Sequence, residues 1–430
     1  MHTEAAHTRK IDTHGIAPGA ALPLRICLLS YRGNPTSGGQ GVYIKRISRA
    51  LADLGHSVDV LSGPPYPHVD NDITLRKLPS LDLYNPDDLF RTPRLSELKS
   101  PINTLEWLGV CSGGFPEPLT FSLRAFKYLL RNGSRYDVVH DNQTLAYGLL
   151  GIKLMIPTVA TIHHPITVDR DLEIQAQPTL AKKMWRRRWY SFLTMQGRVT
   201  RRMRHLITVS EASRNDISKA FSVSPQRFHV VPNGINTDIF HPLPQVKRED
   251  NQLIVTNSAD TPLKGLRFLL LAVAELRRSR PIKLIVIGKP KPGGSIERLV
   301  KEHQLEDCVT FTGRIDEKDF ADYYARSTVA VVPSLYEGFG LPAGEAMACG
   351  VPVISTTGGA LPEVVGDAGM LVPPGDSDAL ARTIIDLLDN PDKRLALGRA
   401  GYERVIKNFT WRTCALKLTE IYHEAIHAHR

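Results

Sequence analysis

Cysteine is scarce in this chain of 430 residues: Cys27, Cys111, Cys308, Cys349 and Cys414 are scattered, with no Cys-x-x-Cys pair. That argues against a disulfide framework or a zinc site and favours a reducing, cytoplasmic setting. Long apolar runs are missing too. The most hydrophobic stretch, 148–162, is interrupted by Lys153 and falls short of a membrane span. Residues 1–23 have no apolar signal core and, rich in His, Thr, Gly and Pro, are expected to form a disordered tail. Acidic residues are missing where basic ones crowd together. Between 174 and 210 there are nine basic residues, Lys182, Lys183, Arg186, Arg187, Arg188, Arg198, Arg201, Arg202 and Arg204, and no acid.

The net charge of +10 is therefore a local property, since the rest of the chain holds 45 basic against 44 acidic residues. Trp185, Trp189, Phe192, Met195 or Gln196, Val199 and Met203 recur every three or four positions, which predicts one long amphipathic helix carrying the basic stretch 182–204. Two readings stand side by side. The helix docks an anionic membrane surface or a phosphate-bearing acceptor, making the protein peripheral to the membrane. Alternatively, it is a domain helix with its aromatic face in the core and a solvated basic face. Nucleic acid is disfavoured as a partner, because no aromatics interleave the basic face for stacking.

Length and an apolar fraction of 42% call for two packed domains of about 200 residues. The first opens with a strand at 24–30, a glycine-rich loop through Gly38 and Gly39, a helix at 42–54 and a strand at 57–61. That βαβ start implies a parallel sheet with a ligand crevice at the strand C-termini. Glycine at 38 and 39 lets the backbone approach a ligand closely, and the helix behind it favours an anion. The segment 78–120 breaks the alternation, with many apolar side chains among Pro, Asp and Gly, and reads as an acceptor-shaping element or as irregular chain packed on its own domain. Strands at 137–142 and 158–164 end in polar groups at the crevice: Asp141 and Asn142 as weak acceptor contacts, then His163 and His164, which alternation turns to opposite sides. A metal held by His140, Asp141 and His163 fits no zinc spacing. A strand at 205–209 leads to Ser210 as N-cap of a helix at 211–221, and the Pro232-Asn233-Gly234 turn closes the domain at 238.

The second domain, 239–410, repeats strand and helix after a linker near 240–250. A β-branched run, 329–332, reads as a buried parallel strand. It is followed by Pro333-Ser334-Leu335-Tyr336-Glu337-Gly338-Phe339-Gly340-Leu341-Pro342 and a helix at 343–348 ended by Gly350. Glu337 and Glu345 stand eight positions apart, one before the glycine loop and one inside the helix. Bare amides at a helix N-terminus suit phosphate, and a carboxylate one turn inside can accept from vicinal hydroxyls. These are the parts needed to hold a nucleotide-sugar.

The run 333–352, with its paired glutamates, resembles the signature of retaining glycosyltransferases of family 4, the glycosyl transferases group 1. The likeness continues over 309–374. It implies an α/β GT-B fold, with two Rossmann-like, doubly wound parallel-sheet domains, an interdomain cleft, and a final helix, 411–430, crossing back to the first domain. It assigns the acceptor to the first domain and the donor to the second. It also implies His163, Lys264 and Glu337 as catalytic residues. Gly38, Gly39, Arg314, Ile315, Phe339, Gly340, Leu341 and Glu345 are implied around the nucleotide-sugar, Glu345 on the ribose. One position departs: family members carry an Arg five residues before the Lys-Gly pair, whereas Ala259 precedes Lys264-Gly265. One charge-assisted contact, worth roughly 1.5–3 kcal/mol, is then absent or supplied by Arg314 or a first-domain arginine.

The reaction implied is front-face transfer from a nucleoside-diphosphate sugar, UDP-sugar favoured, to a hydroxyl of a carbohydrate, lipid-linked or phosphorylated acceptor. No resident cofactor is expected, and the crevice lacks an Asp-x-Asp site, as in a metal-independent enzyme. A sugar-nucleotide epimerase or phosphorylase, or a binding protein that keeps the pocket, are the alternatives.

Overall fold

Short runs of Val, Ile and Leu form two wholly parallel sheets in a computed structural model that describes residues 22–34, 39–175, 177–256 and 261–429. The expected tail, apart from Leu22 and Pro23, lies outside these residues, as do Gly38 and Ala259. The first sheet contains Arg25–Ser30 (β1), Ser57–Ser62 (β2), Thr74–Lys77 (β3), Val138–Asn142 (β4), Thr158–Ile162 (β5), His205–Thr208 (β6) and Phe228–Val230 (β7). The second contains Gln252–Thr256 (β8), Lys283–Ile287 (β9), Val309–Gly313 (β10), Val329–Val332 (β11), Val353–Thr356 (β12) and Met370–Val372 (β13). Their orders, β3-β2-β1-β4-β5-β6-β7 and β10-β9-β8-β11-β12-β13, reverse beside β1 and β8. Chain connections diverge to opposite faces there and leave a crevice beyond the strand ends. The strands β1, β4, β5 and β11 are buried nearly throughout, as strands covered on both faces must be.

The final helix, Trp411–His427, packs on the helix Gly39–Asp53 and on the first sheet, joining Cys414, Leu418, Ile421 and Tyr422 to Ile44, Ile47, Val159 and Ile207 in one core. Leu416 of this helix is exposed, and Leu418 occupies the buried side. Tyr422 reaches His140, whose Nδ1 lies 2.6 Å from its hydroxyl while Nε2 lies 2.7 Å from Thr161 Oγ1. Both ring nitrogens are engaged, so His140 has no lone pair to offer a metal.

Two expectations are corrected. The basic stretch is not one long helix but two, Leu180–Trp189 and Phe192–Thr200, broken at Tyr190 and Ser191. No proline causes the break. Tyr190 turns into the core and stacks on Phe192 at 29°, and Arg188 bonds Ser191 Oγ (2.8 Å) and Ser112 Oγ (2.6 Å). The segment 78–120 is also more regular than expected, containing the 3₁₀ turn Glu97–Lys99, the helix Pro101–Cys111 and the start of the helix Glu117–Asn132. Its anchor is Glu106, 1% exposed, which accepts from Leu81 N (3.1 Å), Thr120 Oγ1 (3.2 Å) and Arg124 Nη2 (2.6 Å). A buried carboxylate supplied with three donors ties three parts of the segment together. Among the described residues no helix is long and apolar enough to cross a membrane.

The chain passes between domains twice, and the two passages touch. Ile235 pairs with Thr410, and Ile235 N donates to Phe409 O at 2.6 Å. Gly234 is pressed onto Trp411 so closely that a Cβ would come within 2.5 Å of it. Asn236, with its amide oxygen turned to Arg46, accepts at 2.9 and 3.2 Å, and Arg46 also meets Glu317 of the second domain at 2.7 Å. Further contacts cluster at the helix Glu211–Phe221. Ser210, its N-cap as expected, accepts from Ser213 N (3.0 Å) and donates to Gly338 O (2.7 Å). From the other domain the Glu363 carboxylate accepts from Glu211 N and Ala212 N, both at 2.8 Å, filling the remaining donors of that helix start. Glu363→Ala is expected to cost about 1 kcal/mol, lowering the melting midpoint of the ligand-free protein by about 2 °C. An unchanged midpoint in calorimetry shows that solvent serves those amides equally well.

Candidate active site

The sharpest local constraint is at the loop 333–340 after β11. Gly265, with φ +69°, sits so near it that a Cβ would lie 1.9 Å from Pro333 O. On the other side Cβ atoms at Gly358 and Gly359 would lie 2.4 Å from Leu335 O and 2.2 Å from Glu337 O. Leu335 N donates to Leu263 O and Ala360 N to Glu337 O, each at 2.8 Å. The loop is thus clamped between two backbones at distances only glycine permits.

The clamp delivers Glu337 to Lys264. Lys264 Nζ lies 2.7 Å from Glu337 Oε1, and Ser334 Oγ donates to the same oxygen at 2.8 Å. Gly340, at φ +103°, then turns the chain into the helix Leu341–Ala348. Among the described residues the N–H groups of Gly340 and Leu341 find no acceptor, and both residues border the cavity. Glu345, one turn inside, also reaches it and has no side-chain hydrogen bond among the described residues. Its burial, with the Glu317 charge added, pushes the carboxyl up to about 7, although Lys264 pulls the other way.

The first domain faces this with His163 at the end of β5. The ring Nε2 lies 2.8 Å from Asn142 Oδ1; with that oxygen as acceptor, Nε2 carries the proton and Nδ1 keeps its lone pair. Burial, with His164 adding to it, lowers the His163 pKa to about 3, so the imidazole is neutral at physiological pH. Its ring meets Tyr43 edge-on at 4.6 Å, and Tyr43 meets Trp411 at 5.8 Å. Gln143, at φ +56°, holds the backbone by accepting from His163 N (2.9 Å) and donating to His164 O (3.1 Å). Together the two domains enclose a cavity of about 590 Å³, in the range of roughly 300–1,000 Å³ usual for ligand sites.

His163, Lys264, Glu337, Phe339, Gly340, Leu341 and Glu345 thus converge on one cavity. Phe339 is 6% exposed with its ring against Phe409, so it serves chiefly as packing. Gly39 begins the first helix, whose next residue, Gln40, lines the cavity. Four expected residues stand apart from it. Arg314 is exposed and Ile315 is packed in the second domain, neither in the cavity wall. Asp141 is fully buried and caps its own loop by accepting from Leu145 N at 2.9 Å, with burial raising its pKa to about 6. Asn142 orients His163 from behind. Unforeseen were Gln143, Asn233 and Trp411 in the lining. The Pro-Asn-Gly turn and the start of the last helix were visible in the sequence as landmarks, but nothing in it aimed them at the cleft.

The Glu345 carboxyl has a higher pKa folded than unfolded, so the folded state retains its proton as pH rises from the ordinary 4.5 towards 7, and stability is lost across that interval. Glu345→Gln removes this loss. The ligand-free variant is expected to gain in melting midpoint over the parent as pH rises from 5 to 7.5. A gap that is constant or narrows with pH means that Lys264 outweighs burial.

Comparison with known proteins converges on this geometry. Residues 37–239 match the family model Glycosyltransferase Family 4, and residues 241–404 that of Glycosyl transferases group 1. The chain is 47% identical over 412 residues to an MMP α-(1→4)-mannosyltransferase of Mycolicibacterium hassiacum, covering 94% of this chain and 98% of that one. It is 29% identical to a D-inositol 3-phosphate glycosyltransferase of Thermobispora bispora, over 95% and 94% of the two chains. Among solved structures, sucrose-phosphate synthase from Thermosynechococcus elongatus superposes with a TM-score of 0.71 at 27% identity, covering 94% of this chain and all of that one. Anabaena HepE in complex with UDP-glucose shares the fold, with a TM-score of 0.66 at 17% identity over 93% of this chain and 100% of that one. A cleft built from Lys264, Glu337, Glu345 and His163 between two parallel-sheet domains, in a chain so matched, belongs to a GT-B glycosyltransferase of family 4, the glycosyl transferases group 1.

Proposed function

We propose that this chain transfers a mannosyl residue from a nucleoside-diphosphate mannose to a hydroxyl of a carbohydrate acceptor, with retention and without a metal in the cleft. The observation that carries the reading is the facing of the Lys264–Glu337 pair and the free Gly340 and Leu341 amides by a neutral His163. Mannose and an α-linked product are taken from the relative at 47% identity, a mannosyltransferase by name.

In this reading the acceptor oxygen bonds to the anomeric carbon on the face from which the diphosphate departs. The bond from that carbon to phosphate oxygen breaks, and the acceptor proton passes to the departing oxygen. Negative charge grows on the diphosphate, and the groups built to meet it are the Lys264 ammonium and the two amides at the helix start. Lys264 turns from Glu337 to phosphate, which frees Glu337 to accept from sugar hydroxyls. His163 Nδ1, being unprotonated, accepts from a hydroxyl on the other side of the sugar. Glu345 accepts from the ribose. Its partial neutrality in the empty site keeps the cost of an isolated buried charge low until those donors arrive. The acceptor approaches along Gln143, His164 and Trp411, which line the first-domain side.

The basic region supports an acceptor, or a surface bearing it, with anionic and apolar parts. Leu180, Met184 and Trp185 are 79%, 62% and 58% exposed among Lys182, Lys183, Arg186 and Arg187. The T. bispora relative is named for a phosphorylated acceptor, which agrees with this charge. Sedimentation with vesicles rich in anionic phospholipid tests it: binding that Trp185→Ala plus Met184→Ala weakens supports a surface role, and indifference to lipid charge removes it.

The decisive experiment offers UDP-, GDP-, ADP- and TDP-linked mannose and glucose with a mannoside acceptor, and reads both nucleotide release and the anomeric configuration of the product by NMR. The expected outcome is α-mannoside formed with one mannosyl donor, with nucleoside diphosphate released in step with acceptor. In Lys264→Ala, kcat is expected to fall by roughly 10²–10³, with a smaller change in KM. Tight donor binding without turnover favours a binding protein, and acceptor-independent nucleotide release favours an epimerase.

A further inference from the structure

At the edge of the first sheet opposite the cleft, three side chains from distant parts of the chain bring one donor atom each to within 4.8 Å of one another: His205 of β6, His229 of β7 and Glu424 of the final helix. The strand register explains the meeting. Ile207 pairs with His229, so His205, two residues earlier in β6, projects from the same face as His229, the face on which the helix Trp411–His427 lies. The two imidazoles lie nearly parallel, with centroids 6.3 Å apart and planes at 18°. His229 Nε2 is 3.8 Å from Glu424 Oε2.

An independent observation is the state of His205. The residue is 7% exposed, yet its Nε2 has no hydrogen-bond partner among the described residues. A buried ring nitrogen left without a partner costs free energy comparable to a lost hydrogen bond. Here it stands beside a second imidazole and a carboxylate that are 33% and 57% exposed and free to move toward it. Arg204, next to His205 in the chain, donates from Nη1 to Ala428 O at 3.2 Å. Two imidazoles and a carboxylate are donors matched to zinc and its neighbours. At bond lengths of ~2.0–2.2 Å, ligand atoms on a tetrahedral ion stand roughly 3.3 Å apart. Closing from the present spacing falls to the side chains of His229 and Glu424, the two with solvent-exposed surface.

We propose that His205, His229 and Glu424 form a structural site for a divalent transition-metal ion, zinc foremost, which fastens the returning helix to the first sheet. The scarcity of cysteine did not point to such a site, because none of its ligands is a thiol. The helix so fastened begins with Trp411, which lines the cleft, and follows the second passage between the domains. The ion would hold in register the one element that belongs to the first domain in space and to the second in sequence. It lies outside the catalytic cleft and takes no part in the transfer.

The test uses the full chain without an affinity tag, stripped with EDTA and titrated with zinc chloride against a chromophoric chelator, with a parallel cobalt(II) titration read in the visible. The expected result is one ion per chain, intense cobalt bands of a four-coordinate site, and a higher melting midpoint with zinc. His229→Ala and Glu424→Ala, both at partly exposed positions that should not impair folding, are expected each to weaken binding by roughly 100-fold or more, since even outer-shell partners of a metal are worth 10–100-fold. Cys111→Ser, at an exposed thiol, should leave it unchanged. Absence of stoichiometric binding, or binding that survives His229→Ala combined with Glu424→Ala, overturns the proposal.

Discussion

The active-site region depends on backbone packed against backbone. Lys264 and Glu337 are 73 residues apart, and they meet because Gly265 allows its segment to lie against Pro333 while Gly358 and Gly359 press from the far side. A methyl group at any of the three would overlap a carbonyl oxygen, and at Gly265 and Gly359 the positive φ adds its own cost. The carboxylate is therefore aimed by main-chain contacts, which do not flex as side-chain packing does. The same turn leaves the Gly340 and Leu341 amides without an acceptor among the described residues at a helix start, the kind of position that favours an anion.

The electrostatics of the cleft follow from burial. His163 is kept neutral because its enclosed ring has a second histidine beside it, and an imidazolium there would be poorly solvated. Glu345 is pushed the other way by burial and by Glu317. Glu317 is itself paired across the domain boundary with Arg46, so the arrangement of the two domains bears on Glu345. Contacts across the boundary, Ser210 with Gly338 and Glu363 with the start of Glu211–Phe221, are hydrogen bonds at helix and loop ends. Such contacts can be exchanged for water at small cost, as a cleft that must admit two substrates requires.

Where the sequence misled, the cause was tertiary. The stretch 182–204 has the periodicity of one helix, and it has no proline and no glycine near the point where it breaks. Its interruption comes from Tyr190 entering the core and from Arg188 reaching Ser112, partners remote in sequence. Asp141 and Asn142 were rightly placed at a strand end. Whether a polar side chain there faces ligand or fold depends on the loop that follows, here one with positive φ at Gln143 and Leu145 that folds back onto Asp141. Arg314 has the charge for a phosphate contact but lies exposed beyond the cavity wall, a matter of direction that composition does not carry.

By itself the sequence determined the two-domain α/β architecture, through its β-branched runs alternating with amphipathic helices, and the polar wall that the second domain gives the cleft, through Lys264-Gly265 and the glutamates at 337 and 345. Both are local properties: hydrophobic period and the backbone freedom of glycine act within a few residues. Tertiary structure alone decided the rest of the cleft wall beyond His163 and His164. Gln143, Asn233 and Trp411 come from three separate segments that meet where the chain crosses twice between domains. It also decided the meeting of His205, His229 and Glu424, which depends on strand register and on the return of the last helix. Contacts between distant segments are set by how whole layers pack, and no window of sequence contains that information.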